Sequence, residues 1–188
     1  MATSSAPLPA LAHLPNALTI VRFLLIPVFV VVYASADNGH SWTAGIIFGV
    51  AGITDQVDGW LARRWHVESE FGKYADPLAD RLMIDVAVLM LVLADRLPWP
   101  ALAIIVARDV FLIAGTKVAL PRGYEFSVSV LGKAATWLLY AGVAFLLVTV
   151  PGTQWPLWLF WIGLGMAIAA AVLYVTSAWG AIRRGTPA

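Results

Sequence analysis

Six apolar stretches, each close to 20 residues long, constrain this chain more than any other feature of its sequence. They cover about 14–35, 42–62, 78–94, 99–119, 129–149 and 156–178, separated by prolines and short polar segments. A helix of about 20 apolar residues crosses the hydrocarbon core of a bilayer. Apolar residues make up 61% of the 188 residues, against roughly 45–50% in soluble domains. We therefore predict an all-α, polytopic membrane protein with six transmembrane helices.

The chain is predicted to be one membrane domain over residues 1–188, with residues 1–14 forming a flexible tail. The first apolar stretch has an alternative interpretation as a signal peptide, because Arg22 precedes an apolar run and Ala34-Ser35-Ala36 resembles a cleavage site. The tail has no lysine or arginine, which favours a membrane helix. No cysteine is present. The net charge is +1 and no basic run occurs, so nucleic-acid binding is not expected.

The basic residues predict the orientation of the helices. If the six stretches alternate in direction, one side of the membrane carries Arg63, Arg64, Lys73, Lys117, Arg122, Arg183 and Arg184. Only Arg96 falls on the other side, where it would form a solvated outer loop with Asp95. Because cytoplasmic loops are rich in lysine and arginine, we predict a multi-pass protein of the cytoplasmic membrane with both termini inside. The tryptophans predicted at the outer boundary are Trp42, Trp99, Trp155 and Trp158.

Four aspartates lie where so apolar a chain should tolerate them least. Asp55 and Asp58 come near the end of the second stretch, and at about 100° per residue they lie within about 60° of each other. Asp76 and Asp80, spaced i, i+4 at the start of the third stretch, also share a helix face. Converging carboxylates repel one another unless a cation neutralises them, and hard divalent cations prefer oxygen ligands. We predict that these aspartates bind one or two Mg²⁺ or Mn²⁺ ions in a polar cavity that faces the cytoplasm.

Small and basic residues accompany the four aspartates. Gly59, Ala62 and Gly72 leave room for a ligand to approach the backbone, and Arg63 can pair with a phosphate. A metal site of this kind suits phosphoryl transfer, in which one carboxylate accepts a proton from an attacking hydroxyl.

Together these eight residues form the pattern D-x2-D-G-x2-A-R-x8-G-x3-D-x3-D. It resembles the signature of the CDP-alcohol phosphatidyltransferases at all eight positions. The resemblance implies a six-helix membrane bundle, usually a homodimer, which transfers a phosphatidyl group from CDP-diacylglycerol to an alcohol and releases CMP. It also implies that Asp80 helps to bind metal and acts as the general base. The residues that the resemblance assigns to CDP binding are Asp55, Asp58, Gly59, Ala62, Arg63, Gly72 and Asp76, the three aspartates among them also being metal ligands.

The prediction of the acceptor alcohol rests on weaker resemblances. The opening P-N-x2-T-x2-R resembles the branch that contains phosphatidylglycerophosphate synthases and CMP-forming cardiolipin synthases. The stretch from Arg108, and the lack of a second lysine shortly after Lys133, are more similar to cardiolipin synthases. Glycerol 3-phosphate is a dianion and should require more cations than phosphatidylglycerol does. We therefore predict phosphatidylglycerol as the acceptor, with glycerol 3-phosphate as the alternative and inositol phosphate as a third.

Several other polar residues are predicted to lie at the depth of the motif. Those expected to bind the phosphate of the acceptor or lipid are Arg108, Lys133, Arg22, Lys117, Arg122, Asn16 and Thr19. Ionisable groups at such depth are costly and usually face a bundle interior or a wet cavity. The alternative is internal ion pairing, for example of Arg22 or Arg108 with Asp85 or Asp109.

An ion-coupled transporter is the alternative from a different class of protein, since intramembrane carboxylates often line ion paths. It would predict acidic residues near the middle of the membrane and a repeat between the two halves of the chain. In this chain the acidic residues gather at one end and no repeat is evident.

Overall fold

The computed structural model describes the backbone over residues 14–36, 39–65, 70–119 and 130–184, and side chains over 20–36, 39–54, 81–112 and 130–176. Within these backbone ranges the chain forms six α-helices and no strand, which confirms the all-α prediction for the described residues. The helices are α1 (Leu14–Ala34), α2 (Trp42–Trp65), α3 (Glu70–Leu93), α4 (Trp99–Ala119), α5 (Val130–Val148) and α6 (Trp155–Arg184).

The helices match a membrane in length and, in part, in composition. They have 19 to 30 residues, or about 28–45 Å at 1.5 Å per residue, and a hydrocarbon core is about 30 Å thick. Among the residues that the structure describes, two segments, Val130–Val148 and Trp155–Thr176, are long and apolar enough to cross a membrane. Large apolar side chains are also exposed on other helices, among them Leu24 and Ile46. Soluble proteins rarely expose extended apolar surface, so this surface is consistent with lipid contact.

Helix α3 occupies a central position, because it packs against α1, α2, α4 and α5. Its buried face includes Met83, Ala87 and Leu91. A second set of contacts joins α1, α2 and α5 through aromatic rings. The ring of Phe48 lies 6.3 Å from that of Phe29 and 5.4 Å from that of Tyr140. The helix that carries Asp76 and Asp80 is therefore held by four neighbours.

Helices α5 and α6 make the most extensive helix–helix contact among the described residues, and two glycines permit their approach. A Cβ atom at Gly142 would lie 2.7 Å from the backbone nitrogen of Phe160, and one at Gly163 would lie 2.8 Å from that of Leu139. No real side chain fits at these distances, so the helix backbones come together only where glycine stands. Small residues allow the same close approach in membrane helix pairs generally.

The helix boundaries differ from the predicted stretches mainly around the aspartate motif. Helix α2 continues to Trp65, and α3 begins at Glu70, about eight residues before the predicted start near 78. The stretches were bounded by apolar composition, which does not detect helical turns made of polar residues. The consequence is that Asp76 and Asp80 lie inside a helix, two to three turns from its start.

Three connections meet at one end of the bundle: α1–α2, α3–α4 and α5–α6. Helix α3 ends there because Asp95 takes a left-handed backbone conformation (φ 54°), and the N–H of Arg96 donates to the carbonyl of Leu91 at 2.8 Å. A left-handed residue that closes the last helical turn is a common helix ending. Ser41, just before α2, donates its backbone N–H to the carbonyl of Leu147 at 2.7 Å. Hydrogen bonds thus tie these connections to one another.

The prediction that Arg96 lies in a solvated loop is wrong. Its guanidinium donates to the carbonyls of Gly39 at 2.7 Å and Thr149 at 2.9 Å, and the residue is 9% exposed. The three converging connections bring carbonyl oxygens together, so they replace the water that the sequence led us to expect around this cation. Burial lowers the pKa of the Arg96 guanidinium, and the Tyr33 phenol acts in the opposite direction. Asp95, in contrast, is exposed as predicted.

The tryptophans predicted at the outer boundary lie at this same end. Trp42, Trp99 and Trp155 are the first residues of α2, α4 and α6, and they are 67%, 71% and 50% exposed. Trp158 follows one turn later and is 67% exposed. Exposed tryptophans at matching helix ends are typical of a membrane–water boundary.

Candidate active site

The aspartate motif lies on two helices that contact each other and are separated by only four residues of chain, 66–69. Asp55 comes ten residues before the last residue of α2, and Asp80 comes ten residues after the first residue of α3. At 1.5 Å per residue each is about 15 Å along its helix from the connection. Asp58 and Asp76 are closer to it, at seven and six residues. Counted along the chain, Asp55 and Asp80 are thus equally far from the connection, and Asp58 and Asp76 differ by one residue.

The side chains of the motif fall outside the described part of the structure. Their metal-binding, CDP-binding and catalytic roles therefore stay predictions, for Gly59, Ala62, Arg63 and Gly72 as for the aspartates. Within the described side chains, no group of three or more His, Asp or Glu residues is placed to hold a metal ion. The expectation of a divalent cation rests instead on the chemistry of the four motif carboxylates, whose oxygens are the ligands that hard cations prefer.

A cluster of described charges lies midway along α3 and α4, where these two helices pack against each other. The Asp109 carboxylate is 3.0 Å from Nη1 of Arg108 and 3.6 Å from Nη1 of Arg81. The same nitrogen of Arg81 donates to the backbone carbonyl of Asp109 at 3.2 Å. The side chain of Asp109 is 8% exposed, whereas those of Arg108 and Arg81 are 18% and 30% exposed. One buried carboxylate thus holds two cations that are partly accessible.

Asp85 adds a second carboxylate to this cluster, one turn after Arg81 on α3. Its charged neighbours are Asp109, Arg108 and Arg81. Its Oδ1 atom is buried, and no donor among the described residues bonds to it. Such an oxygen is costly to bury without a partner. The four side chains together carry no net formal charge.

The structure distinguishes among the residues predicted to bind the acceptor or lipid phosphate. Arg108 forms an ion pair with Asp109, as the alternative interpretation expects, and its phosphate-binding role stays a prediction. Arg22 is 1% exposed, so a phosphate that it binds must enter the bundle. Lys133 is exposed near the start of α5. Asn16, Thr19 and Lys117 have side chains outside the described part, and Arg122 lies outside it altogether.

Arg81 was missed in the sequence analysis, although a signal for it existed. It directly follows the last aspartate of the motif and stands four residues before Asp85, a spacing that brings two side chains together on a helix. Hydropathy could not reveal its partner on α4, because Asp109 is 28 residues away along the chain.

A cavity of about 410 Å³ opens at the opposite end of the bundle, between the end of α1 and the α3–α4 turn. Its lining includes Tyr33, Gly39, Met90 and Asp95. None of the predicted site residues contributes to it, so its size has no bearing on the predicted cytoplasmic site.

The family model for CDP-alcohol phosphatidyltransferases matches residues 12–175 of the chain. The chain belongs to this family. The match extends over all of the helices except the last turns of α6 and includes both halves of the aspartate motif. Membership confirms the resemblance drawn from the eight motif residues, and it makes the protein a transferase of phospholipid biosynthesis.

Curated relatives cover most of the chain. A protein of Shigella flexneri serotype 5b is 32% identical over 88% of this chain and 90% of its own length. A Bacillus subtilis protein is 31% identical over 91% of this chain and 97% of its own length. Both are named CDP-diacylglycerol–glycerol-3-phosphate 3-phosphatidyltransferase. The prediction of phosphatidylglycerol as the acceptor finds no support in these relatives, whose names favour the alternative.

Proposed function

We propose that the protein transfers a phosphatidyl group from CDP-diacylglycerol to glycerol 3-phosphate and releases CMP. The observation that carries the proposal is the similarity to glycerol-3-phosphate phosphatidyltransferases along nearly the whole of both chains, together with the eight motif residues. The prediction of phosphatidylglycerol rests on the stretch from Arg108 and on the absent second lysine near Lys133. Arg81, which was not considered then, adds a cation on the α3 side and weakens that argument.

The reaction forms one phosphorus–oxygen bond and breaks another. A hydroxyl oxygen of glycerol 3-phosphate attacks the phosphorus that bears the diacylglycerol group. The pyrophosphate bond breaks, CMP leaves with the bond's electron pair, and the hydroxyl proton passes to Asp80 as general base. Asp55, Asp58 and Asp76, with Asp80, would hold Mg²⁺ or Mn²⁺, which neutralises charge on the diphosphate when bound. Gly59, Ala62, Gly72 and Arg63 form the CDP-binding surface of this proposal.

The phosphate of the acceptor requires cations of its own. Arg108 is our preferred residue for this role, because its guanidinium is partly exposed. It also pairs with Asp109, which contacts Arg81, the residue directly after Asp80. A planar guanidinium can bind a phosphate through two parallel hydrogen bonds. Lys133 and Arg22 are the further described cations of the proposed acceptor site.

The test is an acceptor comparison with purified protein. CDP-diacylglycerol and Mg²⁺ are supplied with either glycerol 3-phosphate or phosphatidylglycerol, and both CMP release and the lipid product are measured. We expect CMP and phosphatidylglycerophosphate with glycerol 3-phosphate. Cardiolipin formed from phosphatidylglycerol, without turnover of glycerol 3-phosphate, would overturn the acceptor. CMP release with neither acceptor would overturn the activity itself.

We also propose that all six helices span the cytoplasmic membrane, with the aspartate motif at the cytoplasmic side. The absence of cysteine makes a direct test possible. Asp95→Cys introduces a single thiol at the tryptophan-rich end, and Arg184→Cys introduces one at the end of α6. In intact cells, a membrane-impermeant maleimide should label the first and not the second. The reverse pattern would overturn the orientation, and equal labelling would overturn the spanning arrangement.

A further inference from the structure

One carboxylate in this bundle is shared by two arginines that come from different helices. Asp109 and Arg108 belong to α4, while Arg81 belongs to α3. Nη1 of Arg108 lies 3.0 Å from Oδ1 of Asp109, and Nη1 of Arg81 lies 3.6 Å from the same oxygen. Arg81 also donates to the Asp109 carbonyl at 3.2 Å. The contact therefore joins α3 to α4 through both the side chain and the backbone of a single residue.

The pattern of exposure shows which of these groups faces inward. The Asp109 side chain is 8% exposed, and the two arginine side chains are 18% and 30% exposed. A buried carboxylate is stable only when it is paired and hydrogen-bonded. An anion that reaches the cluster from outside meets the guanidiniums first, while the carboxylate stays beneath them and fixes where they stand.

The position of Arg81 along the chain makes this contact relevant to catalysis. It directly follows Asp80, the proposed general base, so a bond that fixes Arg81 also restrains α3 at the level of Asp80. Arg108, the proposed cation for the acceptor phosphate, directly precedes Asp109. The acceptor must place its hydroxyl within hydrogen-bond distance of the base while its phosphate is held. The distance between Asp80 and Arg108 therefore matters. Asp109 connects Arg108 to Arg81, which is the residue directly after Asp80.

We propose that Asp109 is a positioning residue for the acceptor: it holds Arg108 and, through Arg81, sets the acceptor-phosphate site at a fixed distance from Asp80. The proposal rests on the function proposed above. Asp109 touches neither substrate, and it acts through the two guanidiniums. Replacing Asp109 should therefore weaken acceptor binding and leave the binding of CDP-diacylglycerol unchanged.

The test measures the steady-state constants for each substrate separately. Asp109→Asn keeps the size of the side chain and removes its charge. We expect the KM for glycerol 3-phosphate to rise about tenfold or more, because a guanidinium that loses its ion pair is no longer held in place. The KM for CDP-diacylglycerol should stay within about twofold, because the CDP site is formed by other residues. Asp109→Glu keeps the carboxylate and should recover most of the lost acceptor affinity.

Two further variants separate positioning from a general weakening of the fold. Asp85→Asn makes the same chemical change in the same cluster, but Asp85 has no ion pair within 4.0 Å among the described residues. Its KM for glycerol 3-phosphate should stay the same or fall, since a negative charge near the arginines is removed. Arg81→Gln removes both the link to α3 and one cation of the cluster, so it should lower kcat several-fold and raise the KM for glycerol 3-phosphate, with little change in the KM for CDP-diacylglycerol.

The outcomes are distinct. Equal rises of both KM values in Asp109→Asn, or no rise in either, would overturn the positioning role. If that variant does not fold, failure of Asp109→Glu to keep acceptor affinity, or a rise in acceptor KM in Asp85→Asn, would overturn it equally. Absence of turnover with glycerol 3-phosphate in the wild-type protein would contradict the proposed function instead. The same constants, measured with whichever acceptor is used, would then still test Asp109.

Discussion

Two regions of the bundle hold arginine in opposite ways. At the tryptophan-rich end, Arg96 donates to the neutral carbonyls of Gly39 and Thr149, which belong to two other connections. Midway along α3 and α4, next in the chain to the motif, Arg81 and Arg108 meet a carboxylate. Carbonyls fixed in loops give a cation one permanent arrangement. Carboxylate-paired cations can exchange part of that interaction for a phosphate, because both partners are anionic oxygens.

The difference suggests a division of roles along the helices. Arg96 ties together the connections of three helix pairs. The Asp109 cluster lies next to Asp80 and retains partly exposed guanidiniums. We therefore expect changes at the Arg96 end to alter stability more than kinetics, and changes at the motif end to alter kinetics more than stability.

The largest effect should come from Asp80→Asn, which changes the motif end alone. Loss of a general base typically lowers turnover by about 10²- to 10⁴-fold. CMP release is measured with both substrates saturating, and binding of CDP-diacylglycerol is measured separately and should persist. Asp95→Asn serves as the matched control at the other end, since Asp95 is exposed and asparagine tolerates its left-handed backbone. Normal turnover in Asp80→Asn would remove Asp80 as the base.

Arg96→Met should produce the largest loss of stability at the other end. It removes a cation that makes two hydrogen bonds to backbone carbonyls, each charge-assisted, for an expected loss of about 3 kcal/mol in the free energy of unfolding. Unfolding in detergent gives this value, and the KM for each substrate is measured on the protein that remains folded. Unchanged stability, or a selective rise in one KM, would contradict the contrast between the two ends.

Gly142→Ala tests the scaffold on which both ends depend. The added methyl group would meet the backbone of Phe160, and overpacking of this kind costs about 1–3 kcal/mol. The free energy of unfolding should fall without a change specific to either substrate. Gly165→Ala is the matched control on α6, because nothing lies within 4 Å of its added Cβ. A loss of stability in the control as large as that in Gly142→Ala would show that the close approach of α5 and α6 is not the cause.

The smallest effect is expected from Asp95→Asn itself. The side chain is exposed and the substitution keeps its size, so the free energy of unfolding should change by less than about 0.5 kcal/mol. Thermal unfolding in detergent is sufficient to detect a larger change. A marked effect would indicate that the charge of Asp95, and not only its backbone conformation, contributes to the Arg96 end.

The family could be recognised from the sequence because its signature is local. Asp55, Asp58, Asp76 and Asp80 occur at fixed spacings, and helical periodicity alone places each pair on one face. The apolar stretches likewise gave the number and order of the helices, since burial in lipid requires a long run of apolar residues. The predicted helix boundaries are wrong around residues 63–77, because polar residues can form helical turns without any apolar signal.

The acceptor was predicted less well, and the reason lies in how charges are counted. The stretch from Arg108 and the missing lysine near Lys133 are visible in the sequence, whereas the position of Arg81 relative to Arg108 depends on the contact of α3 with α4. A dianionic phosphate is bound by whichever cations lie together in space, and neighbours along the chain are only some of these.

The amino-acid sequence by itself determined the helices, their order and the pairs of aspartates, because each depends on residues within a few turns of one another. The tertiary structure alone decided that Arg96 is buried among carbonyls and that Arg81 and Arg108 share Asp109. Both facts depend on which distant residue supplies the oxygen atoms around a cation. Only the packing of the helices sets that choice, because the same arginine is stable in water, beside a carbonyl or beside a carboxylate.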